Sequence, residues 1–162
     1  MKMAILYFSR SGTTKRMAEL IKEGMEKVEN VQVGVFSLEA VEQSFIEQCK
    51  CVVIGTPTYY ASFAGAVKMW FEEKSRPFGL AGKIGGAFAT QDYRHGGGDL
   101  AIRSVLDHMM VLGMLTYSGG GSFGVPVIHL GPVAIKEKAA ESEDTFCIYG
   151  ERMAKKTMEI FG

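Results

Sequence analysis

Hydrophobic positions along the chain change their period several times, and each change marks a predicted element. Met3-Ala4-Ile5-Leu6-Tyr7-Phe8 is apolar without alternation, the pattern of a strand buried on both faces of a parallel sheet. From Met17 the spacing changes: Met17, Leu20, Ile21, Gly24, Met25 and Val28 form one face of a helix, predicted over 13–29 and closed by Glu29-Asn30. Val31, Val33 and Val35 alternate with polar or small residues, which predicts a half-buried strand near a sheet edge. Leu38, Val41, Phe45 and Cys49 mark a short second helix, and Cys51-Val52-Val53-Ile54-Gly55 is again a continuously apolar strand. Ser62 is placed to cap a third helix with a buried face of Phe63, Ala66, Val67, Trp70 and Phe71, ended by Pro77 and Gly79.

The second half repeats the alternation. Lys83 to Thr90 is a fourth strand whose small residues Gly85, Gly86 and Ala87 allow a helix to pack closely. A loop from Gln91 to Gly98 leads to a helix predicted over 99–112. A fifth strand begins over 114–117, is interrupted by Gly119-Gly120-Gly121, and resumes as a strand segment over 125–130. The last helix starts near Ser142, with Glu143 and Asp144 in its first turn, and buries Phe146, Tyr149, Met153, Ala154 and Ile160. Strands separated by helices give an α/β doubly wound parallel sheet with helices on both faces. In such sheets ligands bind beyond the carboxyl ends of the strands, where strand order reverses. The loops that meet there are 9–14, 56–62 and 90–98.

Composition narrows the class. The 162 residues read as a single domain, residues 1–162, with no repeat or linker. Lys plus Arg equals Asp plus Glu at 18 each, so no nucleic-acid or anionic-membrane partner is expected. No apolar run is long enough for a signal core or a membrane span, and the expected location is cytoplasmic. Cys49, Cys51 and Cys147 make an odd count. Cys49 and Cys51, two apart at the start of a strand, are expected to share a face as buried small hydrophobes in a reducing compartment.

The loop between the first strand and helix carries candidate chemistry. Ser9-Arg10-Ser11-Gly12-Thr13-Thr14 offers four hydroxyls beside the open amides of a helix start, a favourable place for an anion. This suits a terminal phosphate monoester held by neutral donors, although an ordinary Ser/Thr-capped helix start uses the same residue types. The spacings of a Walker loop and of a dinucleotide fingerprint are both missing. A cysteine phosphatase would need its nucleophile here, and the first cysteine is Cys49. The loop after the third strand, Gly55-Thr56-Pro57-Thr58, has no carboxylate for a phosphorylated receiver.

With these loops in place, the chain resembles the flavodoxin-like family, and within it the flavin-dependent NAD(P)H:quinone reductases related to the tryptophan-repressor-binding protein. Ser9 to Thr14 resembles the phosphate loop [ST]-x-[ST]-G-x-T, and Gly55-Thr56-Pro57-Thr58 followed by Ala64-Gly65 resembles the reductases' G-T-P-T-R-F and following A-G. Lys83-Ile84-Gly85, Gly96-Gly97-Gly98 and Gly113-Met114 resemble their fourth strand, glycine loop and following helix end. The resemblance implies a flavodoxin-like, three-layer α/β/α fold with a five-stranded sheet in the order 2-1-3-4-5, the arrangement in which flavodoxin itself exemplifies binding at the switch point. It implies that Ser9, Arg10, Ser11, Gly12, Thr13 and Thr14 hold the phosphate of FMN. Pro57, Thr58, Tyr59 and Tyr60 would line its ring. Thr90, Gln91, Asp92, Tyr93 and Gly97 would border the pyrimidine side and ribityl chain. Two features depart from the reductases: the connection between the second and third strands is short, and Val111-Leu112 stands where they carry a histidine pair.

The resemblance allows an NAD(P)H-dependent oxidoreductase passing two electrons from NADH or NADPH through FMN to a quinone or similar small-molecule acceptor. That is the main expectation; the alternatives are a flavodoxin-type electron-transfer protein between protein partners, or a non-catalytic FMN-binding module. The formal net charge of +0 gives weak steering toward a charged protein partner and favours the small acceptor. Residues 57–62 contain no glycine to ease a backbone flip beside the flavin, which favours two-electron turnover. Tyr93 and His95 are the candidate catalytic side chains, the flavin itself carrying the redox chemistry. His108 is read as structural, and His129 as a residue that can approach the site from its loop. Neutral charge and Met-rich helices permit a homodimer or homotetramer.

Overall fold

The computed structural model describes residues 1–162. In chain order its elements are β1 (Lys2–Tyr7), α1 (Thr13–Met25), β2 (Gln32–Ser37), α2 (Gln43–Gln48), β3 (Cys49–Tyr59), β4 (Ser62–Phe63), α3 (Gly65–Met69), β5 (Ile84–Gln91), α4 (Gly98–Val111), β6 (Leu115–Thr116), β7 (Val133–Ile135) and α5 (Glu143–Phe161). The continuously apolar runs became the central strands. Met3 to Leu6, Cys51 to Thr56 and Ile84 to Thr90 are buried, because helices cover both faces of the parallel sheet. The sheet order β2-β1-β3-β5-β6 is the expected 2-1-3-4-5 once the short antiparallel β4 is set aside. No helix is long and apolar enough to cross a membrane.

The two helical layers approach the sheet where glycines leave room. A Cβ on Gly85 would meet Met109 Sδ of α4 at 2.9 Å, and one on Gly86 would meet the Tyr149 hydroxyl of α5 at 2.4 Å. Packing of α1 on α5 is closer still: a Cβ on Gly24 would lie 1.8 Å from the Cys147 carbonyl oxygen, and one on Gly150 2.1 Å from that of Ile21. Trp70 and Phe71 are core residues, as expected, with Trp70 stacked on Phe78 at 5.5 Å.

Four local expectations are corrected. Cys49 and Cys51 do not share a face: they belong to apolar clusters on opposite sides of the sheet. Lys2 pairs with Cys49 and Met3 with Cys51, so Lys50 is an extra residue in a β-bulge that reverses the alternation. Ser62 does not cap a helix; it pairs with Tyr59 in the β3–β4 hairpin, and the helix begins at Gly65 and runs on into a π-helical turn, Trp70–Lys74. The interrupted last strand resumes at 133–135, not 125–130. Pro126 lacks a ladder N–H, and the Arg152 guanidinium instead holds the carbonyls of Pro126 at 2.9 Å and Phe123 at 3.2 Å. Finally, Ile160 is 49% exposed rather than buried, because the core face of α5 continues from Thr157 to Phe161 and leaves Ile160 beside it.

Candidate functional site

The β1–α1 loop ends in Gly12, whose left-handed backbone (φ 92°) turns the chain into the helix with no side chain capping it. An ordinary Ser/Thr cap is therefore ruled out. The Gly12 N–H donates to Ser9 Oγ at 3.1 Å, while the amides of Thr13, Thr14 and Lys15 have no carbonyl partner and stay open at the positive end of the helix. Ser11 Oγ and Thr13 Oγ1 are 3.4 Å apart on the same rim. Thr14 is buried and its Oγ1 lies 2.8 Å from Thr90 Oγ1 at the end of β5. One hydrogen serves that pair, so the other hydroxyl hydrogen remains free to donate.

The β3–β4 hairpin forms the second wall. Thr56 Oγ1 donates to the Pro57 carbonyl at 2.8 Å and accepts the Ala64 N–H at 3.0 Å, which ties both ends of the hairpin together. Its two-residue turn, Tyr60-Ala61, has φ of 50° and 58°, both in the left-handed region that hairpin turns usually fill with Asn-Gly. Such conformations cost about 1–3 kcal/mol per non-glycine residue. The turn presses on the next loop: a Cβ on Gly97 would be 2.7 Å from Ala61 Cβ. Thr58 lines this wall, and its Oγ1 is the one buried side-chain oxygen or nitrogen without a hydrogen-bond partner. The Arg10 guanidinium lies 5.1 Å from the centre of the Tyr59 ring.

The third wall is the end of β5. Gln91 Oε1 accepts the Gly98 N–H at 2.7 Å, so this side chain anchors the start of α4 while lining the cleft. Ile135 of β7 lies opposite Gln91, and the next residue, Lys136, enters the cleft. Lys136 was missed from the sequence, since only the strand pairing of β5 with β7 carries position 136 to this edge.

These walls bring together Arg10, Ser11, Thr13, Thr14, Pro57, Thr58, Tyr59, Thr90, Gln91 and Asp92 around one cleft of about 160 Å³. Ser9 and Gly12 shape its loop without lining it, and Gly97 supports the hairpin turn. Tyr60 is fully exposed, and Tyr93 is 78% exposed, in a neighbouring groove with Arg94 and Lys138. His95 is exposed on its loop and does not line the cleft. His129 does not approach it either, and lines a separate groove with Arg103, Thr116 and Ser118, because β7 rather than 125–130 reaches the sheet's carboxyl end. His108 is structural: its ring centre is 5.2 Å from those of Phe63 and Phe71, and its Nδ1 is 2.7 Å from the Ser104 carbonyl.

The flavodoxin-domain family model matches residues 4–88, from β1 through both of the first two walls. A flavodoxin of Clostridium saccharobutylicum is 44% identical over 161 residues, covering 99% of this chain and 100% of the relative. The chain belongs to the flavodoxin family. A solved flavodoxin from the domain Archaea superposes with a TM-score of 0.80 at 25% identity, covering 98% of this chain and 99% of that one. An NAD(P)H dehydrogenase (quinone) of Paraburkholderia phymatum is 27% identical, covering 99% of each chain. That alignment runs over 203 positions against a chain of 162 residues, so this chain lacks segments that the quinone-dehydrogenase relative carries.

Proposed function

We propose that this member of the flavodoxin family binds FMN in the cleft and carries electrons between protein partners. The whole-length match at 44% identity to a flavodoxin carries this reading. The residues fit the cofactor. Open amides at Thr13 to Lys15 and the hydroxyls of Ser11 and Thr13 suit a phosphate monoester, and a polar ligand atom would supply the partner that Thr58 Oγ1 lacks. The cleft is smaller than the roughly 300–1,000 Å³ of pockets that enclose a ligand, so a molecule the size of FMN keeps one edge outside, within reach of a partner protein.

Bound FMN supplies the redox chemistry. The chain's part is to hold the phosphate with neutral donors, wall the ring with Pro57 to Tyr59, and limit water at its inner edge through the Thr14–Thr90 contact. Tyr60 and Tyr93 stand exposed beside the mouth, where a docking surface would meet them.

A second reading, an NAD(P)H-dependent oxidoreductase acting on a quinone-like acceptor, draws support from the formal net charge of +0 and the glycine-free 57–62 loop. One experiment separates the readings: the visible spectrum of FMN-loaded protein during anaerobic addition of NADH or NADPH. The carrier reading expects a yellow protein that nicotinamide alone does not bleach and that a reductase protein does, with salt-sensitive rate. Rapid bleaching by NADH or NADPH, with turnover on a benzoquinone, would replace it by the second. A colourless protein that fails to take up FMN would refute both.

A further inference from the structure

We infer that Lys136 is the residue by which this cleft favours the reduced, more negatively charged state of a bound flavin, an inference that rests on the FMN-binding reading above. Three charged side chains line the cleft: Arg10, Asp92 and Lys136. Arg10 lies over the Tyr59 ring on the hairpin wall. Lys136 comes from the opposite side, where β7 runs along β5. Because Ile135 pairs with Gln91, Lys136 stands level with Asp92, beyond Thr90, whose hydroxyl already meets Thr14 of the phosphate loop. It forms no ion pair within the chain, whereas nearby Lys138 is held by Glu141 at 3.5 Å and Glu143 by Arg16. The lining therefore carries two cations against one carboxylate, and the cation on the β5–β7 side is uncommitted.

The phosphate has its own donors at the helix start, so the charge left for Lys136 is that of the ring. Two electrons and one proton give the isoalloxazine one negative charge more than it has when oxidised; a second proton would cancel it. The electrons come from a partner protein or, in a titration, from two one-electron-reduced viologen molecules, each oxidised to its dication. A cation beside the ring stabilises the charged product and leaves the oxidised ring nearly unaffected. A ligand filling the cleft also displaces water and lowers the effective dielectric between them.

The test is a potentiometric titration of FMN-loaded, full-length protein, comparing wild type with Lys136→Gln, Lys136→Glu and Lys136→Arg, together with the affinities of each for oxidised FMN and riboflavin. Lys136→Gln is expected to weaken binding of reduced relative to oxidised flavin about tenfold, a negative shift of about 30 mV for a two-electron couple. Lys136→Glu should shift it further, Lys136→Arg should restore it, and the ratio of FMN to riboflavin affinity should stay constant. Equal potentials in all four proteins would overturn the inference. So would a loss of FMN affinity with riboflavin unchanged, which would assign Lys136 to the phosphate. If wild-type protein bound no FMN, the cofactor reading itself would fail; binding with unmoved potentials would sink the Lys136 role alone.

Discussion

Thr14 and Thr90, 76 positions apart in the chain, meet through a buried hydrogen bond of 2.8 Å between their hydroxyl oxygens. The contact joins the first turn of α1 to the end of β5, and so ties the helix-start wall of the cleft to its β5 wall. Each hydroxyl is the other's means of escaping an unsatisfied burial.

The pair predicts a double-mutant signature. Thr14→Val or Thr90→Val alone strands a buried hydroxyl and should cost about 1–3 kcal/mol of stability in urea unfolding of the apoprotein. The double variant should cost clearly less than the two singles added together. Simple additivity would show that the two oxygens are not bonded in solution.

The Tyr60-Ala61 turn should respond to glycine. Ala61 holds φ 58°, and Ala61→Gly is expected to stabilise the protein by about 1 kcal/mol, since glycine enters the left-handed region without the Cβ penalty. Gly97→Ala should do the reverse, because it combines φ 84° with a Cβ that would collide with Ala61. It should also weaken FMN binding by displacing the hairpin wall. Thermal unfolding and a flavin fluorescence titration measure the two effects; a Gly97→Ala protein of wild-type affinity would disconnect the turn from the site.

Helix packing on the far side of the sheet gives a sharper stability prediction. Gly150→Ala places a methyl group 2.1 Å from a backbone oxygen of α1, which no rotamer change relieves, so the two helices must separate. The expected loss is about 3 kcal/mol, at the upper end of overpacking costs, read as a lower urea midpoint. A change below about 0.5 kcal/mol, the range of ordinary surface substitutions, would mean that α1 and α5 are farther apart than described.

Alkaline pH probes the buried thiols. Burial pushes Cys49 and Cys51 up from 9.0 to about 12, so the folded chain keeps protons that the unfolded chain gives up. Their contribution to stability is complete below about pH 9 and is lost as pH rises toward 12. Lys83, lowered from 10.5 mainly by burial, tilts the balance the other way just below its ordinary value. The thiol share is therefore isolated by comparing urea midpoints of wild type and Cys51→Ala across this window: the wild type should lose stability faster. Parallel curves would mean that Cys51 is reached by solvent.

Much of this molecule can be read along the chain, and the misreadings share one cause. The β1–α1 loop was legible because strand, turn and helix follow one another without interruption, so that Gly12 and the open amides of Thr13 and Thr14 are local consequences of that order. The walls at Thr58 and Gln91 could be anticipated because a parallel sheet brings successive strand ends to one edge. Pairing between distant segments was not legible. A single bulge at Lys50 sent Cys49 and Cys51 to opposite faces, and Ser62 chose a strand partner over a helix cap.

By itself, the sequence determined the alternation of buried strands and amphipathic helices, and with it the carboxyl-end cleft and the hydroxyl-rich helix start on its rim, because hydrophobic period and turn chemistry act over a few residues. Only the tertiary structure decided that Thr90 would hold Thr14, that Ala61 would bear on Gly97, that His129 would be left outside and that Lys136 would enter. Those relations depend on strand register and helix docking, in which a shift of one residue moves a side chain to the other face of the sheet.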